Sequence, residues 1–279
     1  MHKKLTIALL ILINASMTIA QQNTSSQEDD MKALRSFAQL GQLYKRMPVQ
    51  LNIHIQNTAS LVVKPSDTMQ ADMQLYYSAM HFYMQAEGLE EIVNDSMIIM
   101  VNSQTKQIIL YPNNQQVIKS IEKSVAMFMP DSSVERMAAN YHATAQDMGH
   151  KKIKIELKNK ANVYGTDMPR DIIRLIYQQD TYEPVEFVQK RTSLLPVDSA
   201  IFKGMKNDPA YNGKLVTSPA AKGELYFLVK ELTTTFSFNK ITHGITQPPA
   251  REQDRIIKGV DGNYQPAKGY EEYQLKKQN

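Results

Sequence analysis

Between Val49 and Tyr111 apolar residues return at every second position, interrupted only by turn formers, and this rhythm constrains the fold more than any other feature. Val49, Leu51, Ile53 and Ile55 open it. Met69, Ala71, Met73, Leu75 and Tyr77 follow, with Gln70, Asp72, Gln74 and Tyr76 between them. After Ser78-Ala79 the alternation resumes one step out of phase, as Met80, Phe82, Met84 and Ala86 against His81, Tyr83, Gln85 and Glu87. A period of two belongs to a strand with one buried face, and the phase slip reads as a bulge or tight turn. Gly88 breaks the ribbon. Residues 89–93, 96–101 and 108–111 then read as consecutive antiparallel strands, joined by Asn94-Asp95 and a polar N-S-Q-T-K-Q turn. Connections this short make a meander.

The apolar face of the meander is rich in methionine, in a chain with 16 methionines, no tryptophan and no cysteine. Without disulfides, stability must come from a core. Met69, Met73, Leu75, Met80, Phe82 and Met84, with Ile98 and Met100 from the strand at 96–101, are the candidate lining of an apolar cavity. Thioether chains adapt to irregular gaps, so these residues suit a filled core. They equally suit a hollow that accepts apolar ligands of varied shape. Both readings need the same inward face, and the enclosed volume separates them.

The first 20 residues have the form of an export signal. His2, Lys3 and Lys4 make a basic head, residues 5–13 an apolar run, and N-A-S-M-T-I-A ends in small residues, so cleavage is expected near Ala20. The apolar run is too short for a permanent anchor, and no later stretch approaches the length of an integral membrane span. A periplasmic location is expected. A lipid anchor on a cysteine at the cleavage site is excluded, and residues 21–28 are expected to be a flexible leader. Without Lys3 and Lys4 there are 30 basic residues against 28 acidic ones, with no basic stripe, which argues against nucleic acid as a partner.

Met31, Leu34, Phe37, Ala38, Leu40 and Leu43 fall at helical spacing and predict a helix over 29–44, with Asp29 or Asp30 as its cap. Residues 113–149 leave the β rhythm. Val117, Ile118, Ile121, Val125, Phe128 and Met129 predict a helix stopped by Pro130, and a second is expected over 134–147, ended by Gly149. Strands resume with Ile153, Ile155 and Leu157, then a hairpin of 171–178 with 183–190, then 225–230 and 233–238. Beyond Gly244 the chain turns polar, with Pro248, Pro249 and Pro266 among many Gln, Lys and Glu. Residues 245–279 are expected to be a loosely ordered tail.

Nothing local advertises catalysis. The six histidines form no H-E-x-x-H pair, and neither G-x-S-x-G nor G-x-x-x-x-G-K occurs. Glu90 and Glu91 are adjacent on a strand, so they point to opposite faces and cannot work as a dyad. No cofactor and no metal are expected, and the chain reads as non-enzymatic.

The order of elements, together with G-L-E-E-I-V-N-D-S-M-I-I-M-V-N-S-Q-T-K-Q-I-I-L-Y-P at 88–112 and I-R-L-I-Y-Q-Q-D-T-Y-E-P-V-E-F-V at 173–188, resembles the periplasmic lipoprotein carriers, the outer-membrane lipoprotein localisation family. Asn94-Asp95, Tyr111, Tyr177, Asp180 and Pro184 stand at places comparable to that family's turn and strand pattern. The family's lid arginine has no counterpart position here. The resemblance implies an α+β fold over 29–244: a curved antiparallel sheet, an incomplete β-barrel, with helices covering the concave side. The methionine face then lines a cavity, and the helices of 113–149 lie at its mouth. The implied role is a periplasmic binding protein sheltering an apolar ligand such as a lipid or a lipoprotein acyl chain. The alternative is an accessory subunit of an envelope assembly that uses the fold as a scaffold and the tail to dock an envelope protein partner.

Overall fold

The computed structural model describes residues 28–38, 46–79, 81–112, 134–220 and 223–278. The export signal, most of the leader, the end of the helix expected over 29–44, Met80 and the helix expected over 117–129 lie outside the described residues. Helix α1 spans 28–38. The alternating segments become β1 (Val49–Ala59), β2 (Gln70–Tyr77), β3 (Phe82–Ala86), β4 (Leu89–Val93), β5 (Met97–Asn102) and β6 (Gln107–Pro112). Then come α2 (Val134–Asn140), β7 (Tyr141–Asp147), β8 (Lys152–Asn159), β9 (Asp171–Gln178) and β10 (Pro184–Val197). The chain continues with α3 (Ser199–Met205), β11 (Leu215–Ala220), β12 (Gly223–His243), β13 (Ile256–Lys258), β14 (Tyr264–Pro266) and β15 (Gln274–Lys277).

One sheet holds nearly all of these strands, in the order β15-β6-β5-β4-β3-β2-β1-β12-β10-β9-β8-β7, with β11 also paired to β12. Its neighbours are antiparallel except β15, which runs parallel to β6. The two end strands do not pair with each other, so the described residues form an open sheet and no closed barrel. The phase slip in the methionine ribbon is a tight turn, with the amide of Ser78 donating to the carbonyl of His81 at 2.9 Å. The next turn places both Glu87 (φ 46°) and Gly88 (φ 80°) in the left-handed region, the geometry that matches hairpin twist. A Cβ on Gly88 would lie 2.5 Å from the Ser103 hydroxyl, so glycine is required there.

The sheet carries a core on each face. The first is built from alternate residues of β1 to β5 and residues of β7 to β10, with Ala33, Leu34 and Phe37 of α1 and Met137 of α2 packed among them. The second gathers the intervening residues of β2 to β6, namely Tyr76, Tyr83, Ile92, Met97, Ile99, Val101, Ile108 and Leu110, against Ala250 and Ile256.

That second core corrects the reading of 245–279. The segment is docked along 245–278. Arg255 grips Glu90 with two hydrogen bonds of 2.5 and 2.7 Å, Tyr76 donates to the carbonyl of Ile245, and Asn94 donates to Glu252. Tyr264, Tyr270, Tyr273 and Leu275 complete the layer. Polar composition hid six tyrosines, isoleucines and leucines placed at the few positions that meet the sheet. The helix expected over 134–147 is corrected as well: it stops at Asn140, and residues 141–147 pair with β8 instead. Asp30 lies inside α1, not at its cap, and its carboxylate accepts from the Ala143 amide of β7 at 3.2 Å.

Candidate functional site

Strand register decides which predicted residues meet. On the first face, Tyr77, Phe82, Val93, Ile98 and Tyr111 stand side by side across β2 to β6. The adjoining row runs Leu51, Leu75, Met84, Glu91, Met100, Ile109. A third runs Ile53, Met73, Ala86, Leu89, Asn102. Of the eight residues named from sequence, Met73, Leu75, Phe82, Met84 and Ile98 therefore share one face and one apolar cluster.

The three rows differ in depth. The first is buried at its centre, with Phe82 at 9% and Ile98 at 6% exposure, and half-buried at its ends, Tyr77 and Tyr111. The second and third begin buried at Leu75 and Met73 and open toward β4 and β5, where Leu89 is 50% and Met100 41% exposed. Met84, Ala86 and Ile109 lie half-buried between. The first face thus has a packed centre and an apolar rim that reaches the surface.

Two of the residues named from sequence lie apart from that cluster. Met69 precedes β2, is 37% exposed and belongs to neither core. Met100 belongs to the correct face but to its open rim rather than to an enclosed lining. Sequence reasoning passed over Leu89, Glu91 and Ile109, although the same alternation that selected Met84 places Glu91 and Ile109 in its row and Leu89 in the adjoining one.

Glu90 and Glu91 separate as strand geometry requires. Glu90 is buried on the second face with Arg255. Glu91 stands on the first, between Met84 and Met100. Burial raises its pKa above the usual carboxylate value. On the other side of the sheet, burial first and then the charge of Glu90 push the Tyr83 phenol upward, so it stays a proton donor.

Two openings flank these faces. One of about 480 Å³ is edged mainly by polar residues, among them Asn52, Asp72, Gln74, Gln85 and Asn239. The other, about 700 Å³, lies between α1 and β7 to β9 and is edged by Asp30, Lys32, Asp147 and the stacked pair Tyr177 and Tyr182, whose ring centres are 5.8 Å apart. Neither touches Leu75, Phe82, Met84, Ile98 or Met100. Among the described residues no three His, Asp or Glu side chains converge as a metal site. No described helix is long and apolar enough to cross a membrane.

No protein-family model matches the chain, and no curated protein matches it. Several solved structures are similar. A LolA superfamily protein of Nitrosomonas europaea is 11% identical, covers 75% of this chain and 94% of its own length, and superposes with a TM-score of 0.22. The family that the sequence resembles is therefore among them. A DUF1329 family protein of Desulfovibrio piger is 8% identical, covers 79% of this chain and 95% of itself, and has a TM-score of 0.28. A structure described as an outer membrane lipoprotein-sorting protein domain of Vibrio parahaemolyticus is 7% identical, with 76% and 94% covered and a TM-score of 0.25. At such TM-scores these likenesses add nothing on ligand or partner, and this chain's own faces must supply the functional argument.

Proposed function

We propose that the protein is an exported, periplasmic, non-enzymatic binding protein whose first sheet face shelters an apolar ligand such as a lipid or a lipoprotein acyl chain. In this reading the sheet curves about that face, with α1 and α2 over its concave side. The observation that carries it is the surfacing of the apolar rows: Met84, Ala86, Leu89, Met100 and Ile109 continue the buried core outward, with Glu91 as the one carboxylate among them. Contiguous apolar surface of this kind marks interaction sites. Thioether chains on it adapt to ligands of different shape. Each methylene of an alkyl chain laid along the rim contributes about 0.8 kcal/mol.

The test is uptake of a neutral environment-sensitive dye, Nile red, by delipidated protein. Met84→Asp with Met100→Asp is expected to abolish the fluorescence gain while leaving the melting temperature nearly unchanged, because both residues sit on the rim. Full dye uptake by a folded double variant counts decisively against the reading.

The alternative, a filled scaffold serving an envelope protein partner, draws on the packed centre formed by Phe82, Val93 and Ile98. With residues 245–278 engaged on the second face, its docking surface has to lie elsewhere. A pull-down from envelope extract that returns a stoichiometric partner for chain unable to take up dye would favour it.

A further inference from the structure

Glu91 interrupts the rim. It stands in the row Leu75, Met84, Glu91, Met100, Ile109, with Met84 opposite it on β3 and Met100 opposite it on β5. In the three first-face rows described above it is the single carboxylate, and they contain no cation. The nearest basic residue on this course is Lys276 of β15, which pairs beside Ile109. It lies three strands from Glu91, about 14 Å by the ordinary strand spacing and too far for an ion pair. Among the described residues no hydrogen bond or ion pair to the Glu91 carboxylate is formed. Its neighbour Glu90, by contrast, is matched in full by Arg255.

A half-buried carboxylate among thioethers is costly to keep charged unless a cation comes to it. Burial accordingly raises its pKa. A purely apolar ligand would leave that cost in place on binding, whereas one ending in an ammonium group would remove it. Building on the apolar-binding reading above, we propose that the rim is a seat for a cationic amphiphile: an alkyl chain along Met84, Met100 and Ile109, and an amine head donating to Glu91. The chain and the head are then read by different side chains, the first by dispersion and burial, the second by a charge-assisted hydrogen bond.

The experiment is displacement of Nile red from the full chain by dodecylamine and by dodecanol, both below the concentrations at which they aggregate. The ratio of the two affinities is the readout. In the unmodified protein the amine is expected to bind about tenfold more tightly, the usual increment for a hydrogen bond to a charged group. Glu91→Gln is expected to bring that ratio close to one, and Glu91→Lys to move the preference to dodecanoate. Retained dye uptake certifies that each variant is folded. Equal binding of amine and alcohol by the unmodified protein, or an amine preference that survives Glu91→Gln, overturns the proposal while leaving the apolar-binding reading intact. If neither compound nor dye binds, both are overturned.

Discussion

Glu90, Glu91 and Asp67 illustrate three fates of a carboxylate in one fold. Glu90 is buried and matched by Arg255, so Arg255→Met should strand its charge in the second core and lower unfolding stability by about 3–5 kcal/mol in urea titration. Replacing both residues together should recover most of that loss; a double variant as unstable as the single one would show that the charge pairing is not the cause. Asp67, also buried, accepts from Lys230 at 2.5 Å and from the amides of Val63 and Lys64, tying the loop after β1 to β12. The Lys230 hydrogen bond, followed by the Val63 amide, lowers its pKa from 3.8 to about 2. A lowered carboxylate stabilises the fold above its unfolded value, and the contribution is lost as pH falls through the folded one. Stability should therefore drop between about pH 4 and pH 2, and Asp67→Asn should flatten that part of the curve; an unaltered acid limb would refute the assignment. At this scale the sequence was partly legible. Alternation placed Met73, Leu75, Phe82, Met84 and Ile98 on one face, because pleating alone decides that. It could not say how deep each one lies, since depth depends on α1, α2 and strands far along the chain.

Turns and tail make the argument at the level of elements. Gly88→Ala forces a left-handed backbone on a residue whose Cβ meets Ser103, and a loss of at least about 1–2 kcal/mol is expected in thermal or chemical melts. A neutral effect would mean that the β3–β4 turn can be rebuilt. The segment beyond Gly244 matters more. Removing residues 245–279 uncovers Tyr76, Ile99, Ile108 and Leu110 and bares the edge of β6. Exposed apolar sheet with an open edge invites association, so light scattering should report oligomers or aggregates; a monomeric truncated chain with the parent melting temperature contradicts this role. The hairpin of β9 and β10 was legible because Pro184 and its turn are local signals. The strand β7 was not, because Met137, Tyr141 and Ala145 fall at helical spacing while Tyr141, Ala143 and Ala145 alternate as a strand, and only pairing with β8 decides. β11 offered no signal before its partner was known, with six residues that include Pro219.

The whole molecule is one open sheet with a different covering on each side. Residues 245–278 seal one face, and α1 and α2 contribute to the other, where the apolar rows surface at β4 and β5. A fold arranged this way keeps its aggregation-prone surface on one side only and leaves a limited stretch of the other available. The middle of that sheet is the seam of β1 with β12, where Val49 faces His243 and Ala59 faces Leu232. It joins the earliest strand of the described chain to one of its last long ones, a contact that closes slowly because the intervening loop must first be ordered. A polypeptide emerging from a ribosome or a translocation pore can assemble β1 to β6 by themselves, yet β1 keeps a bare side until residue 243 has arrived. During synthesis and transit the nascent protein thus exposes a lengthy unpaired strand, and holdase protection would be needed most in the interval before β12 is delivered.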